Sequence, residues 1–331
     1  MLKSSIDERD IWKNILHLCG NAGFIRPGII SPFEPAFTVS RVFDGPLPEN
    51  YREGALSLLV TALAYGNQEG DRGPEKCPNP AYIAPFARKN YYREAVKRLQ
   101  GISLELRRMY GGRKADYRIL CNSPVPEKPL ALAAGVGSLG RNGLIITREA
   151  GSLVILAAMT LPFSFKNPPP DVPYGDRVKN SESETAERDR VNPSAPDGFP
   201  LCAGCDRINP PCKAACPTGA LRGDGSIDLS RCIQWYASGK GDRVIQEVAE
   251  KWGQRLYGCT CCQDACIHNK RPIQGAWTKE GILPACFDAE RFIRLPDEEI
   301  KNLFKDSTLG LSWLSPEALR RSARLALGIH P

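Results

Sequence analysis

The 331-residue sequence has no apolar run near the roughly 18 residues needed to cross a bilayer. It has no leader pattern: "MLKSSIDERDIWKNILHLCG" mixes acids with bases and lacks an apolar h-region. These absences point to a cytoplasmic chain without a membrane partner. No internal repeat is visible beyond a pair of cysteine runs. A disulfide framework is not expected in a reducing compartment, so the 13 cysteines call for metal or redox chemistry. Otherwise the composition is that of a soluble globular protein, 42% hydrophobic and 24% charged. The length suits two cores at about 150 residues each.

Cys19, Cys77, Cys121 and Cys286 are scattered and read as small buried hydrophobes. The other nine lie between Cys202 and Cys266. The first run, "CAGCDRINPPCKAACP" (202–217), opens as C-x2-C and closes as C-x3-C-P. Six residues stand between the halves where a bacterial ferredoxin has two. Cys232 follows alone, and "YGCTCCQDACIHN" supplies Cys259, Cys262 and Cys266 as C-x2-C-x3-C. Eight thiolates in two sets of four are what two 4Fe-4S cubanes require. In two-cluster ferredoxins the fourth cysteine of a run serves the other cluster. That exchange groups Cys202, Cys205, Cys212 and Cys266, and separately Cys216, Cys232, Cys259 and Cys262. The extra "DRINPP" lengthens one loop, at little entropic cost. Two four-cysteine zinc sites are the competing reading; C-x3-C-P after C-x2-C favours clusters. Cys261 is an alternative to Cys262, which has the better spacing.

Apolar spacing predicts helices over 8–22 and Tyr91–Tyr110, the latter with a basic outer side. "ALSLLVTALAYG" (55–66) reads as a buried strand or short helix. "GLIIT" and "SLVILAAMTL" around "REAG" read as a β-hairpin. After Pro162 the texture turns to proline, charge and small polar residues that bury no core. The expected organisation is therefore an α/β domain over 1–163, a linker or surface loop over 164–200, a double-cluster domain over 201–270 and a C-terminal segment of two helices over 271–331. The net charge of +7 concentrates between Arg88 and Arg118, where ten cations face three acids. Such a stretch is either a solvated helix face or a phosphate-contacting surface.

"GVGSLG" (135–140) matches G-x-G-x-x-G, but neither the following helix nor the acid of a dinucleotide site is present. Its glycines signal close approach to a neighbouring element or to a flat cofactor.

The stretch "RILCNSPVPEKPLALAAGVGSLGRNGLIITREAGSLVILAAMTLPF", the two cysteine runs and "LPDEEIKNLF…LRRSARLALG" together resemble the epoxyqueuosine reductase family, over roughly residues 55–331. The resemblance implies an α+β architecture: a nitroreductase-like cobalamin-binding α/β domain, a ferredoxin-like domain with two 4Fe-4S clusters and a short C-terminal helical segment, related to the reductive dehalogenase core. It implies reduction of epoxyqueuosine to queuosine in tRNA, or a related reduction of another substrate, with electrons from a donor such as ferredoxin or flavodoxin. Cobalamin would be held along Gly135, Gly137, Gly140, Arg141 and Asn142. The family's aspartate, its proposed proton donor, is replaced here by Asn122, and an amide is no general acid. Glu127, Tyr117 and Cys121 are the nearby candidates to replace it. The family's "GRDYH" corresponds to "RKNYY" here, with Asn90 for the acid and Tyr92 for the histidine. The alternative class is an electron-transfer protein with no substrate of its own.

Overall fold

The computed structural model describes residues 7–30, 56–65, 77–165, 198–241, 243–270, 283–310 and 313–330. Most of the expected linker (166–197) and the start of the C-terminal segment (271–282) lie outside the described residues. Helix α1 (Glu8–Asn21) starts where the Asp7 side chain accepts from the Arg9 amide, and it buries Ile11, Trp12, Ile15 and Cys19. Strands β1 (Ile25–Ile30), β2 (Ser57–Ala64) and β3 (Pro80–Ile83) follow. Helix α2 (Tyr91–Tyr110) is capped by Asn90, whose side chain accepts from Arg93 N. Then come β4 (Ile119–Leu120), α3 (Glu127–Ala133), β5 (Ser138–Leu139), β6 (Ile145–Ile146) and β7 (Val154–Leu161).

The main sheet is antiparallel in the order β1-β2-β7-β4. The segment 57–64 is a strand, and its unbroken apolar run follows from burial on both faces. Leu59, Leu63, Ala157 and Met159 pack with α1 and α2. Their neighbours Leu58, Val60, Ala62 and Ala158 pack with α3 and β6. The alternation of strand side chains sorts them between two cores.

The expected hairpin over 143–162 does not form. β7 pairs along its length with β2, from Ser57↔Leu161 to Ala64↔Val154, while β6 pairs with β5. A single bridge, Thr147↔Gly151, closes the "REAG" turn. The eight-residue β7 gains a full ladder from β2, and the glycine stretch gives β6 its partner. A Cβ on Gly137 would lie 2.6 Å from Ile145 Cγ2, and one on Gly140 would lie 2.5 Å from Ile146 Cδ1. Those two glycines thus answer to a neighbouring strand. Gly135, at φ 69°, ends α3, with its amide donating to Leu132 O.

The cysteine segment has short elements: α4 (Pro211–Ala214), α5 (Ile233–Ala237), α6 (Gln246–Ala249), β8 (Arg255–Tyr257) and α7 (Cys261–Asp264). Beyond it lie β9 (Cys286–Asp288), α8 (Ala289–Ile293), α9 (Asp297–Phe304) and α10 (Pro316–Ala326). The first of the two expected tail helices is broken ahead of Pro296, which disfavours a helical conformation for Leu295. Ser315 caps α10 with Pro316 at its first position, as the sequence predicts. A second sheet, β8-β3-β9, joins one strand from the first third of the chain to two from the last and packs against Phe292, Phe304 and Leu319.

A buried amide network holds the cysteine segment against the main sheet. Ser152 N donates to Asn269 Oδ1 at 2.8 Å. Asn269 Nδ2 donates to Gln263 O and Ser152 Oγ at 2.8 and 3.0 Å. Gln263 Nε2 donates to Tyr65 Oη and Ser152 O at 2.8 and 2.9 Å. Gly151 must lack a side chain here, because its Cβ would lie 2.0 Å from Asn269 Oδ1. Asn269→Ala strands the buried Ser152 amide and the Gln263 carbonyl. The expected loss is about 2–3 kcal/mol, read as a lower denaturant midpoint at unchanged slope.

Candidate redox site

Two adjoining cavities divide the clustered cysteines. The smaller, about 20 Å³, is lined by Cys202, Cys205, Cys212 and Cys266. The larger, about 290 Å³, is lined by Cys216, Cys232, Cys259, Cys261 and Cys262. The short helices that carry the two runs, α4 and α7, pack together and bring them into register. Among the described residues, no three Cys, His, Asp or Glu side chains converge on a point that would hold one metal ion. Single-ion zinc sites need that convergence; four sulfurs spread around a cavity suit a polynuclear cube.

The thiols are dry. Burial pushes Cys202 up to about 11, and the nearby Cys205, Cys266 and Cys212 sulfurs add to the rise. Burial, with Cys212, Cys216 and Cys232 nearby, pushes Cys262 up to about 12. Such thiols ionise when metal displaces their protons. Backbone amides are already aimed at them: Arg141 N–H at Cys202, and the His268 and Asn269 N–H groups at Cys266. N–H···S contacts of this kind belong to iron–sulfur loops and help set their potentials. The donor set and these amides fit 4Fe-4S clusters.

Cations attend both cavities. Arg141 is buried, donates from Nη1 to Gly223 O at 3.0 Å, lies 4.9 Å over the Phe199 ring and offsets the rise of the Cys205 pKa. It faces the smaller cavity. Arg255 Nη2 donates to Cys261 Sγ at 3.0 Å. The bond from Cys259, then this guanidinium, bring Cys261 down to about 6. Cys259 is pushed up by that same bond and by burial. Cys262, by contrast, lies near Cys212, Cys216 and Cys232 as well as Cys261. Lys128 Nζ donates to Gly143 O at 2.7 Å and lies near Cys262; burial lowers its pKa.

The wall of the larger cavity opposite the cysteines is apolar and aromatic, with Tyr65, Phe86, Tyr92, Leu144, Val154 and Ile155. No sequence pattern marked Tyr65, Phe86, Gln263, Arg255 or Lys128. They reach the site through tertiary packing alone, although the change of histidine to Tyr92 was visible. Asn142 lines both cavities, whereas Gly135, Gly137 and Gly140 line neither. Neither His17, bonded to Asn21, nor His268, bonded to Leu201 O, lines the larger cavity.

Asn122 is exposed at φ 51°, a left-handed turn position that asparagine tolerates, and lines neither cavity. Its amide donates to Glu127 Oε1, and Ser123 N donates to the same oxygen. Burial raises the Glu127 pKa against those bonds. Tyr117 is a core residue bonded to Gly111 O, and Cys121 packs against Tyr92 O and Leu156 O. On the basic stretch, Arg98 pairs with Glu94, Arg108 with Glu105, Arg113 with Asp116 and Arg93 with Asp306.

Comparison with known proteins agrees with this geometry. Residues 201–269 match the 4Fe-4S double cluster binding domain. Over 248 residues the chain is 34% identical to an epoxyqueuosine reductase of Bacillus subtilis, covering 73% of this chain and 54% of that protein. The fold matches the structure of epoxyqueuosine reductase from Streptococcus thermophilus with a TM-score of 0.72 at 21% identity, over 97% of this chain and 81% of that one. It also matches an epoxyqueuosine reductase solved with a tRNA-Tyr epoxyqueuosine-modified stem loop, with a TM-score of 0.71 at 22% identity over 98% and 82%. The two structural likenesses speak for the fold. The chain spans between 42% and 64% of the length of five curated relatives. No helix among the described residues is long and apolar enough to cross a membrane. With its paired cysteine cavities beside an antiparallel sheet and its double-cluster match, the chain is similar to the epoxyqueuosine reductases over most of its own length.

Proposed function

We propose that this protein is an iron–sulfur oxidoreductase that reduces epoxyqueuosine in tRNA or a closely related substrate. The observation that carries the reading is the sorting of eight cysteines into two adjoining cavities, one of them walled by the α/β unit. Cys202, Cys205, Cys212 and Cys266 would hold one 4Fe-4S cluster. Cys216, Cys232, Cys259 and Cys262 would hold the other, with Cys261 set aside by Arg255. When bound, the clusters would relay single electrons from a donor such as ferredoxin or flavodoxin, and a corrinoid would supply the reductant at the substrate.

The chain's own contribution is positioning and electrostatics. Arg141 and Lys128 place positive charge near sulfurs that become anionic on loading, which favours the loaded state. Tyr65, Phe86 and Tyr92 give the larger cavity an aromatic face. A corrinoid is supported by kinship and by this apolar face beside the second cysteine set. Asn122 cannot donate the proton its aspartate counterpart is proposed to supply.

Oxygen-free protein should carry iron and sulfide for two clusters. Cys262→Ser should lose half of that iron, and Cys261→Ser should keep it; the reverse result would reassign the ligand. A colourless anaerobic preparation, or one carrying zinc, would sink the reading. Intact clusters with no change in the corrin spectrum on adding cobalamin would leave an electron carrier. Restoring the acid with Asn122→Asp should raise turnover of epoxyqueuosine-containing tRNA by about 10²-fold; no gain would indicate another substrate. Binding of that tRNA should weaken steeply with salt, and replacing Arg107 and Arg108 by alanine should reduce the slope by about one unit per lost phosphate contact.

A further inference from the structure

Among the described residues, Asn142 is the one common to the linings of both cysteine cavities. It is 2% exposed. Its Oδ1 accepts from Leu144 N at 3.2 Å, which fixes the amide's orientation and turns Nδ2 away from that backbone. Nδ2 is buried and has no hydrogen-bond partner among the described residues. A buried amide donor left unpaired is destabilising, so its position between two sulfur-lined spaces calls for an acceptor that the described residues do not supply.

The loop around it is built to hold that position. Gly140 N donates to Leu144 O and Gly143 N to Gly140 O, both at 2.8 Å. A Cβ on Gly140 would lie 2.6 Å from Asn142 Oδ1, so this glycine makes room for the amide. Gly143, at φ 72°, presses on the next loop, where its Cβ would lie 2.8 Å from Gly225 O. Arg141 ties to Gly223 O in the same loop. A side chain locked in this way has little freedom to turn toward water.

We infer that the Asn142 side-chain amide donates an N–H···S hydrogen bond to a sulfur of a bound 4Fe-4S cluster, from the partition between the two cluster sites. The inference rests on the cluster reading above and goes beyond it by giving one side chain a role in setting a potential. Each reduction adds negative charge to the cluster. A donor aimed at its sulfur stabilises the reduced form and raises the potential. Asn142 would thus bias the electron's distribution between the two sites.

The test is a redox titration of anaerobically loaded wild-type, Asn142→Leu and Asn142→Asp proteins, followed by electron paramagnetic resonance. Leucine removes the donor at similar volume. Aspartate keeps the acceptor for Leu144 N but offers no N–H and adds negative charge. Both variants should retain wild-type iron and sulfide, and one cluster should become harder to reduce, more so in the Asp variant. An exchangeable-proton hyperfine coupling on that cluster should also disappear in the Asn142→Asp and Asn142→Leu proteins alike, which loosened packing alone would not produce. Loaded variants with both midpoints and all couplings unchanged would overturn the inference. So would variants that change only the spectrum of added cobalamin, since the amide would then serve that group. If Leu disrupts loading, Asp still decides the matter. Iron and sulfide in the wild type judge the cluster reading separately; their absence would remove both.

Discussion

Asn269, clamped between the Ser152 amide and the Gln263 carbonyl, registers the second cysteine run against the main sheet. Gln263 lies between Cys262 and Cys266 and reaches Tyr65 on the cavity wall. The cysteine segment has little regular structure of its own: α4 and α7 have four residues each. Its sulfurs are therefore placed by contacts with an older-established frame of strands, and these few buried amides carry much of that placement. Buried polar groups that are fully satisfied fix one geometry where apolar packing would tolerate several.

Charge follows the same division of labour. Burial raises the pKa of thiols such as Cys202 and Cys262, and Arg141, Arg255 and Lys128 stand near the clustered sulfurs. Each cation has a backbone or sulfur partner that holds it in place. The protein thus keeps positive charge in a dry region where anionic thiolates form on loading. A cation so placed exerts its effect with little screening by solvent.

What could be read beforehand depended on range. Helix α2 declares itself through local spacing, whereas the apolar run of β2 reads as either a strand or a short helix; cysteine order grouped the residues that line each cavity because the two runs pack through α4 and α7. The supposed hairpin over 143–162 failed because an apolar strand does not name its partner, and β2, some 90 residues earlier, offered a longer ladder than the nearby "GLIIT". The glycine motif stayed ambiguous for the same reason: Gly137 and Gly140 meet β6, which only the tertiary fold reveals. Tyr65, Arg255 and Lys128 carried no signal, since their importance is a matter of distance in space. Asn122 was conspicuous as a substitution, yet its place on an exposed turn followed from backbone geometry.

The small sheet β8-β3-β9 has a consequence for how the chain is made. Its middle strand comes from residues 80–83, whereas its outer strands come from 255–257 and 286–288. During synthesis from the N-terminus, Ile83 must wait for about 200 further residues before both edges are covered, a long-range pairing that closes slowly. β8 ends two residues before Cys259, so the ligand loop gains its final anchor late. Iron delivered early to the nascent chain would meet sulfurs that have not yet been gathered, which makes maturation of the metal centres a closing event of assembly.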